Sequence, residues 1–479
     1  MTEAPQKLLL AFYGDDFTGS TDALEFLSRA GAKTVLFIEP PKPEQLKHFK
    51  DLQAIGVAGM TRSLTPSAME QELYPAFTAL KQLGAAHVHY KVCSTFDSSP
   101  TIGSIGKAID IGAGIFQSGF IPLLVGAPAL GRYCVFGNLF ARMGIGSKGI
   151  IYRLDRHPSM SRHPVTPADE SDLRLHLTRQ TSKRIGLMDI LQIQSEATEA
   201  KRTLEDIIQS GAEVILFDAL YQEQMAGIGR LIDAYADVHT PLFSVGSSGI
   251  EMALGAYWKE AGVLQSQQNW MNMEKAGPLL VASGSCSPVT SGQISWALAQ
   301  GFAEVALDTE AIAANEDVSS MMEQCVAELI TLMGEGRSVI LHTSKGMDDE
   351  RVGRTAEIFT VKGFDEAMIR TGTAQLYGTA LGSIVRRVAE QTALKRIVIA
   401  GGDTSSFAAR AMGIEAVEMI APLSPGAPLC KAYAPGSPID GLEVNFKGGQ
   451  VGAEDYFGLV LEGLTPGPSP TPLERGAKV

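Results

Sequence analysis

The chain has 479 residues, with 40 Lys+Arg against 53 Asp+Glu, a net charge of −13 and 45% hydrophobic residues. This composition excludes a low-hydrophobicity disordered polymer and a basic nucleic-acid binder. At the usual ~150 residues per domain the length predicts two or three domains, each burying a sizeable core.

The first residues place one Lys before a short apolar run that ends in Asp15 and Asp16, which does not read as a signal peptide. The uncharged stretch 111–131 is broken by glycines and prolines, so no membrane span is expected. The 5 cysteines are dispersed without a C-x-x-C, which fits a reducing cytoplasm and a soluble protein free of disulfides and of a cysteine zinc site. Glycine stands at 50 residues, about a tenth of the chain against a usual ~7%, with no collagen-like period. Many tight turns without side chains are expected.

Apolar runs recur at 8–14, 33–39, 87–92, 122–127, 213–218, 241–246, 278–283, 338–344 and 396–401, each followed by a Gly/Ser/Asp-rich turn and helical periodicity. This alternation predicts an α/β protein in which each of two domains has a mostly parallel sheet flanked by helices. The first such junction joins a strand to a helix through Asp15, Asp16, Thr18, Gly19, Ser20 and Asp22. Ligands of open parallel sheets bind outside the carboxyl ends of the strands, so this carboxylate and hydroxyl cluster stands where chemistry is expected. The competing reading is that Ser20 or Asp22 simply caps the helix.

Further along, Arg62 follows the apolar 54–59, and Lys91 to Ser94 ends another strand, so Arg62, Lys91 and Ser94 can converge on the same sheet edge as Asp16. Arg grips a carboxylate with two hydrogen bonds, and Lys supplies a point charge. His87 and His89 share a strand face and read as satisfied histidines rather than metal ligands. The G-x-G-x-x-G at 144–149 follows the helix-like 138–143 and precedes a strand, the reverse of a dinucleotide fingerprint. Segment 153–166, rich in Arg and His and broken by Pro, is expected to be a lid or anion-reading loop. Residues 246–249 lack the G-x-S-x-G elbow, so a hydrolase triad has no anchor.

The polar, Gln/Asn-rich 258–277 reads as the inter-domain connection, giving domains at 1–260 and 275–463. A second anion-type junction follows at Ser283, Gly284, Ser285, Cys286 and Ser287, with Pro288 and Thr290 in the first helical turn. A third has Gly401 and Gly402 ending a strand and Asp403, Thr404, Ser405 and Ser406 opening a helix. Small residues at a helix start let backbone N–H groups approach an anion. No G-x-x-x-x-G-K-[ST] occurs, so an ATP site here is not a Walker P-loop. The tail 464–479 carries 4 Pro in its first nine residues and is expected to be disordered.

Tyr13-Gly-Asp-Asp-Phe-Thr-Gly-Ser-Thr-Asp22, Lys91-Val-Cys-Ser94, His163-Pro-Val-Thr-Pro167, Ser283-Gly-Ser-Cys-Ser287, Gly401-Gly-Asp-Thr404 and Phe446-Lys-Gly-Gly449, in this order, resemble the four-carbon acid sugar kinases. The resemblance covers the chain to about residue 457. It implies an N-terminal acid-sugar domain and a C-terminal ATP domain facing across a cleft, with ATP and Mg²⁺ phosphorylating a hydroxyl of a threonate, erythronate or 3-oxo-tetronate in carbohydrate catabolism. It assigns Asp16, Arg62 and the Lys91 to Ser94 segment to the acid sugar; Asp15, Thr18 and Asp22 on the same turn are further substrate candidates, with Asp16 as the catalytic candidate and Asp15 or Asp22 as alternatives. It assigns the Ser285 turn with Ser283, Gly401, Gly402, Asp403, Thr404, Gly448 and Gly449 to ATP; no dedicated protein metal site is expected. Two departures stand out: Tyr13-Gly14 and Ser20-Thr21 in the first motif, and Lys447-Gly-Gly-Gln-Val-Gly452 near the end. The first motif is closer to the branch that phosphorylates 3-oxo-isoapionate.

Two other readings stay open on the sequence. An NAD-dependent oxidoreductase of a hydroxy acid would bind nicotinamide at the first turn, where Asp15 and Asp16 stand in place of glycines. A non-catalytic nucleotide-binding regulator would bind ATP without releasing ADP. The apolar stretches leave room for a homodimer; nucleic-acid and membrane partners are not expected.

Overall fold

A computed structural model describes residues 8–143, 149–163, 165–265, 270 and 273–463. The strands of the first half are β1 (Leu10–Gly14), β2 (Thr34–Phe37), β3 (Ala54–Ala58), β4 (His87–Lys91), β5 (Ile121–Leu124), β6 (Arg132–Val135), β7 (Asn138–Arg142), β8 (Ile151–Arg153), β9 (Ile185–Met188), β10 (Val214–Phe217) and β11 (Leu242–Gly246). Those of the second half are β12 (Leu280–Ser283), β13 (Ala303–Ala306), β14 (Val339–His342), β15 (Arg396–Ala400), β16 (Ala416–Ser424), β17 (Ala427–Tyr433) and β18 (Glu443–Lys447). All nine apolar runs predicted as strands are strands. Most are buried along their full length, as expected when helices cover both faces.

The two halves do not form separate sheets. Strands run in the order β13-β14-β12-β15-β18-β17-β16-β2-β3-β1-β4-β11-β5-β10-β9 as one 15-stranded sheet. Each half is parallel within itself, and the hairpin β16–β17 joins them. Its β16 pairs antiparallel with β2, Ala416 opposite Phe37, while β17 pairs antiparallel with β18, Leu429 opposite Asn445. Long strands with one polar face suit this role, and β16 alternates buried and half-buried residues accordingly. A shared apolar cluster runs through both halves, with the Phe17 and Phe446 rings 4.6 Å apart.

One local expectation needs correction. Residues 138–142, read as helix-like, form β7: Leu139 and Ala141 are buried while their neighbours are half-buried, a period of two. The strand sits in a separate antiparallel sheet, β6-β7-β8. Trp258, placed at the start of the connection, lies in the helix Gly249–Glu260 and is buried in the first half's core, as is Leu264 beyond it. Segment 153–166 is mostly short turns, and Arg153 is spent on Asp155. Thr166 and Pro167 line a small cavity with Thr95, Phe96, Asp97 and Ser98, just past Ser94. The motif at 144–149 falls almost wholly outside the described residues, as does the tail from 464.

Candidate active site

β1 lies between β3 and β4, so the loops after these three strands emerge side by side. Asp15 and Asp16 leave β1, Arg62 follows β3, and Lys91 closes β4. The Asp15 N–H donates to the Lys91 carbonyl at 2.8 Å and the Arg62 N–H to the Asp15 carbonyl at 3.0 Å, which holds the loops together. The helix Phe17–Ala30 starts here, and its cap is Asp16 itself, rather than Ser20 or Asp22, accepting from the Gly19 N–H. Ser20 instead donates its hydroxyl to the Asp16 carbonyl at 2.6 Å.

The carboxylates divide by partner. Asp16 Oδ2 forms an ion pair with Arg62 and takes a 3.4 Å bond from Thr18 Oγ1. Asp15 points inward: Oδ2 accepts from the Cys93 N–H at 3.4 Å, and Oδ1 is buried without a partner among the described residues. Burial, then the like charge of Asp16, raises its pKa to about 7. Asp22 accepts from Ser248 Oγ and lies 3.7 Å from Lys91 Nζ; burial raises its pKa despite both partners. Burial alone would lower Lys91, but the carboxylates around it, Asp22 first, hold it above its ordinary value. Ser94 is buried at the start of the next loop.

Across the cleft, β12, β15 and β18 are neighbours, and their carboxyl ends carry the three glycine and hydroxyl turns. The Gly284 N–H donates to the Ala400 carbonyl, and the Gly401 N–H to the Lys447 carbonyl, both at 2.9 Å. Ser287 caps the helix Pro288–Ala299, accepting from the Val289 N–H at 3.2 Å, with Pro288 in the first turn as expected. The helix Gly402–Ala411 has no side-chain cap: Gly401 precedes it at φ 146°, a conformation that favours glycine, and leaves the first N–H groups open. Thr404 Oγ1 is buried there without a partner among the described residues. A Cβ on Gly284 would come 2.6 Å from the Thr404 side chain, so the two turns need glycine to pack. Ser283 is fully buried at the end of β12, and the Ser285 hydroxyl accepts from the Ser287 N–H at 3.3 Å.

The two groups face each other. Arg62 Nη2 reaches Asp403 Oδ1 at 3.1 Å, and a Cβ on Gly448 would lie 3.8 Å from Thr18 Oγ1. One polar corner thus brings together acids and cations from the first half with an open helix start and glycine turns from the second. An apolar cavity of about 530 Å³ lies elsewhere, against β6–β8, lined by Tyr133, Val135, Phe136, Phe140 and Leu220; it carries no comparable polar set. Among the described residues no cluster of three or more His, Cys, Asp or Glu stands together as a metal centre, and no helix is long and apolar enough to cross a membrane.

Sequence reasoning missed several partners. Ser248 and Glu251 follow β11 and stand behind Lys91; the Ser-Ser pair after an apolar run was the available signal. Lys447 appeared only as part of a motif. Glu25 Oε2, which accepts from the Gly426 N–H at 2.7 Å and ties the halves together, had no local signal at all.

Fold and site together define a two-domain α/β phosphotransferase, with an acid-lined turn set against phosphate-type turns. Residues 10–254 match a family described as a sugar-binding N-terminal domain, and residues 280–457 one described as a nucleotide-binding C-terminal domain. The chain is 42% identical to a 3-oxo-isoapionate kinase of Paraburkholderia graminis over 97% of each chain. It is 27% identical to a 3-oxo-tetronate kinase of Pseudomonas savastanoi pv. phaseolicola, covering 95% of this chain and 97% of that one. Its fold resembles a solved protein of Salmonella typhimurium LT2 at TM-score 0.74 and 23% identity, covering 96% of this chain and 100% of that one. A Haemophilus influenzae protein follows at TM-score 0.67 and 21% identity, covering 94% and 98%. The chain belongs to the four-carbon acid sugar kinase family, ATP-dependent enzymes that phosphorylate a hydroxyl of a small acid sugar.

Proposed function

We propose that this enzyme transfers the γ-phosphoryl group of ATP to a hydroxyl of 3-oxo-isoapionate, or of a closely related acid sugar, with Mg²⁺ on the nucleotide. The observation that carries the reading is the meeting of the Asp15–Asp22 turn with the open helix start at Gly401–Thr404, bridged by Arg62 between Asp16 and Asp403. The branch choice rests on the relative named for that substrate.

Such a transfer asks for alignment, charge neutralisation and exclusion of water more than for covalent chemistry. In this reading the substrate carboxylate takes over Arg62 and draws on Lys91, while Thr18 and Ser94 hydrogen-bond its hydroxyls. Release from Arg62 leaves Asp16 Oδ2 free to accept the proton of the attacking hydroxyl as its oxygen bonds to phosphorus and ADP departs. Asp15, whose raised pKa of about 7 keeps it largely protonated below that pH, spares Asp16 a second negative neighbour. Asp22 orients Lys91. Ser283, Ser285, Gly402, Thr404, Gly448 and Gly449 receive the phosphates through N–H and O–H donors, while Gly401, whose N–H is held by the Lys447 carbonyl, lets the nucleotide approach the backbone without a side chain in the way. Asp403, a hard carboxylate donor beside these turns, fits Mg²⁺, which takes few protein ligands, keeps several waters and neutralises phosphate charge.

A coupled ADP-release assay over 3-oxo-isoapionate, 3-oxo-tetronates and tetronates, with and without Mg²⁺, tests the reading. Turnover greatest with 3-oxo-isoapionate and dependent on Mg²⁺ is expected. ATP binding without ADP release on any acid sugar would leave a nucleotide-binding regulator as the better account.

A further inference from the structure

Lys447 is fully buried at the carboxyl end of β18. Among the described residues its Nζ makes one hydrogen bond, to Thr290 Oγ1 at 3.0 Å, lies 5.7 Å from the centre of the Tyr456 ring, and has no ion pair. The groups shown against it among the described residues are uncharged: Thr290 from the helix Pro288–Ala299 and Tyr456 from the helix Tyr456–Glu462. Tyr456, the titratable one, is held neutral by burial and donates its hydroxyl to Asn445 Oδ1 at 2.8 Å. A buried ammonium without a counter-charge is costly, and burial accordingly lowers the pKa of Lys447 to about 7.

Its connections give that cost a purpose. Thr290 Oγ1, the acceptor for Lys447, donates to the Gly449 carbonyl at 2.9 Å, and Ser287 Oγ donates to the same oxygen at 2.7 Å. The Lys447 carbonyl accepts the Gly401 N–H at 2.9 Å. The Lys447 side chain thus holds Thr290, which with Ser287 anchors the Gly449 carbonyl, and its backbone carbonyl holds Gly401, so the residue stands where the turns at 283–287, 401–404 and 448–449 meet.

We infer that Lys447 is a positioning residue of the nucleotide site, a buried amine that takes up a proton as nucleotide phosphates settle on the three turns and holds those turns in register through Thr290. The inference rests on the reading that the second half binds ATP. The step is a protonation: buffer supplies H⁺ to the neutral amine, and the phosphate anion stabilises the ammonium formed.

The test is calorimetric titration of ADP into the intact protein at about pH 8, where the amine is mostly neutral and ADP is ionised. It is run in two buffers of different ionisation enthalpy, for the wild type, Lys447→Met and Lys447→Arg. The wild type is expected to take up roughly half a proton or more per ADP bound. Lys447→Met should show no uptake and bind at least about tenfold more weakly, with no drop in thermal midpoint, since an unpaired buried amine is removed. Lys447→Arg, permanently charged, should bind without uptake. Tight wild-type binding without uptake, or Lys447→Met binding like the wild type, overturns the role of Lys447 and leaves the ATP reading standing. Failure of the wild type to bind ADP overturns the ATP reading and this inference with it.

Discussion

The turn after β1 and the turns after β12, β15 and β18 occupy equivalent places, at the carboxyl ends of parallel strands, yet they handle anions in opposite ways. The first carries three acids, pairs two of them internally, Asp16 with Arg62 and Asp22 with Lys91, and buries the third, Asp15, with its pKa raised. The second presents glycines, hydroxyls and an uncapped helix start, with one unpaired lysine behind them. A site whose cations are already paired binds an anion by exchange, which favours selectivity. A site of fixed N–H donors needs little rearrangement, which suits a phosphate chain of constant shape. With a net charge of −13 on the chain, two anionic substrates must rely on local donors: Arg62 and Lys91 on one side and the open N–H groups of the helix start on the other.

The contrast breaks most visibly at Asp16. Asp16→Asn is expected to lower kcat by about 10²–10⁴-fold, the usual range for loss of a general base, while ADP affinity stays within twofold or so. Wild-type turnover in this variant would remove Asp16 from the chemistry. The opposite signature is expected at Gly401. Alanine there meets a φ of 146° and the Thr404 hydroxyl, so the KM for ATP should rise by about tenfold or more with the acid-sugar KM unchanged. Equal effects on both substrates would show that the two halves do not divide the work.

Arg62 stands on the border. Its loss removes the partner of Asp16 and the contact to Asp403, so Arg62→Met should raise the acid-sugar KM by roughly tenfold to a hundredfold, the scale of a charge-assisted hydrogen bond. Because the guanidinium also bridges the halves, a smaller rise in the KM for ATP should accompany it. If only the KM for ATP moved, Arg62 would belong to the nucleotide rather than to the sugar.

Much of this division was legible in the sequence, for a physical reason. Strands buried on both faces read as apolar runs, and βα turns that bind anions need Gly, Ser, Thr and Asp within a few residues, so Asp16, Ser285 and Gly401 to Thr404 announce themselves locally. The strands of the hairpin β16–β17 did not, because alternation on a half-covered antiparallel ribbon resembles loop sequence, and what joins the halves is its pairing with β2. The capping role of Asp16 was obscured by five polar neighbours. Lys447 ends β18 and Glu251 sits in the first turn of the helix after β11, and their significance depends on what long-range packing withholds from them.

Glu251 supplies the smallest effect, and it separates structural tuning from catalysis. It is fully buried behind Lys91, and neither carboxylate oxygen has a hydrogen-bond partner among the described residues. His89 Nδ1 lies 3.2 Å from the Ser244 carbonyl and 3.1 Å from the Ser244 hydroxyl, and its Nε2 stands 3.6 Å from Glu251 Oε1. Burial, then the Lys91 charge, lowers the His89 pKa to about 3, so the ring is neutral and offers Glu251 no counter-charge. Burial, outweighing the Lys91 charge, raises the Glu251 pKa to about 8, so it keeps its proton at neutral pH. A carboxyl whose folded pKa exceeds its ordinary 4.5 contributes stability that is fully present below that value and is lost as pH rises through about 8. At ~1.4 kcal/mol per unit the loss is at most roughly 5 kcal/mol. Glu251→Gln, which is neutral at every pH, should therefore match the wild type in thermal midpoint at the acid end of this window and exceed it by several degrees at the alkaline end. Its kcat should change far less than that of Asp16→Asn. A pH–stability curve parallel to the wild type would mean that Glu251 is ionised in the native state, and the buried group behind Lys91 would then be a counter-ion rather than a neutral acid.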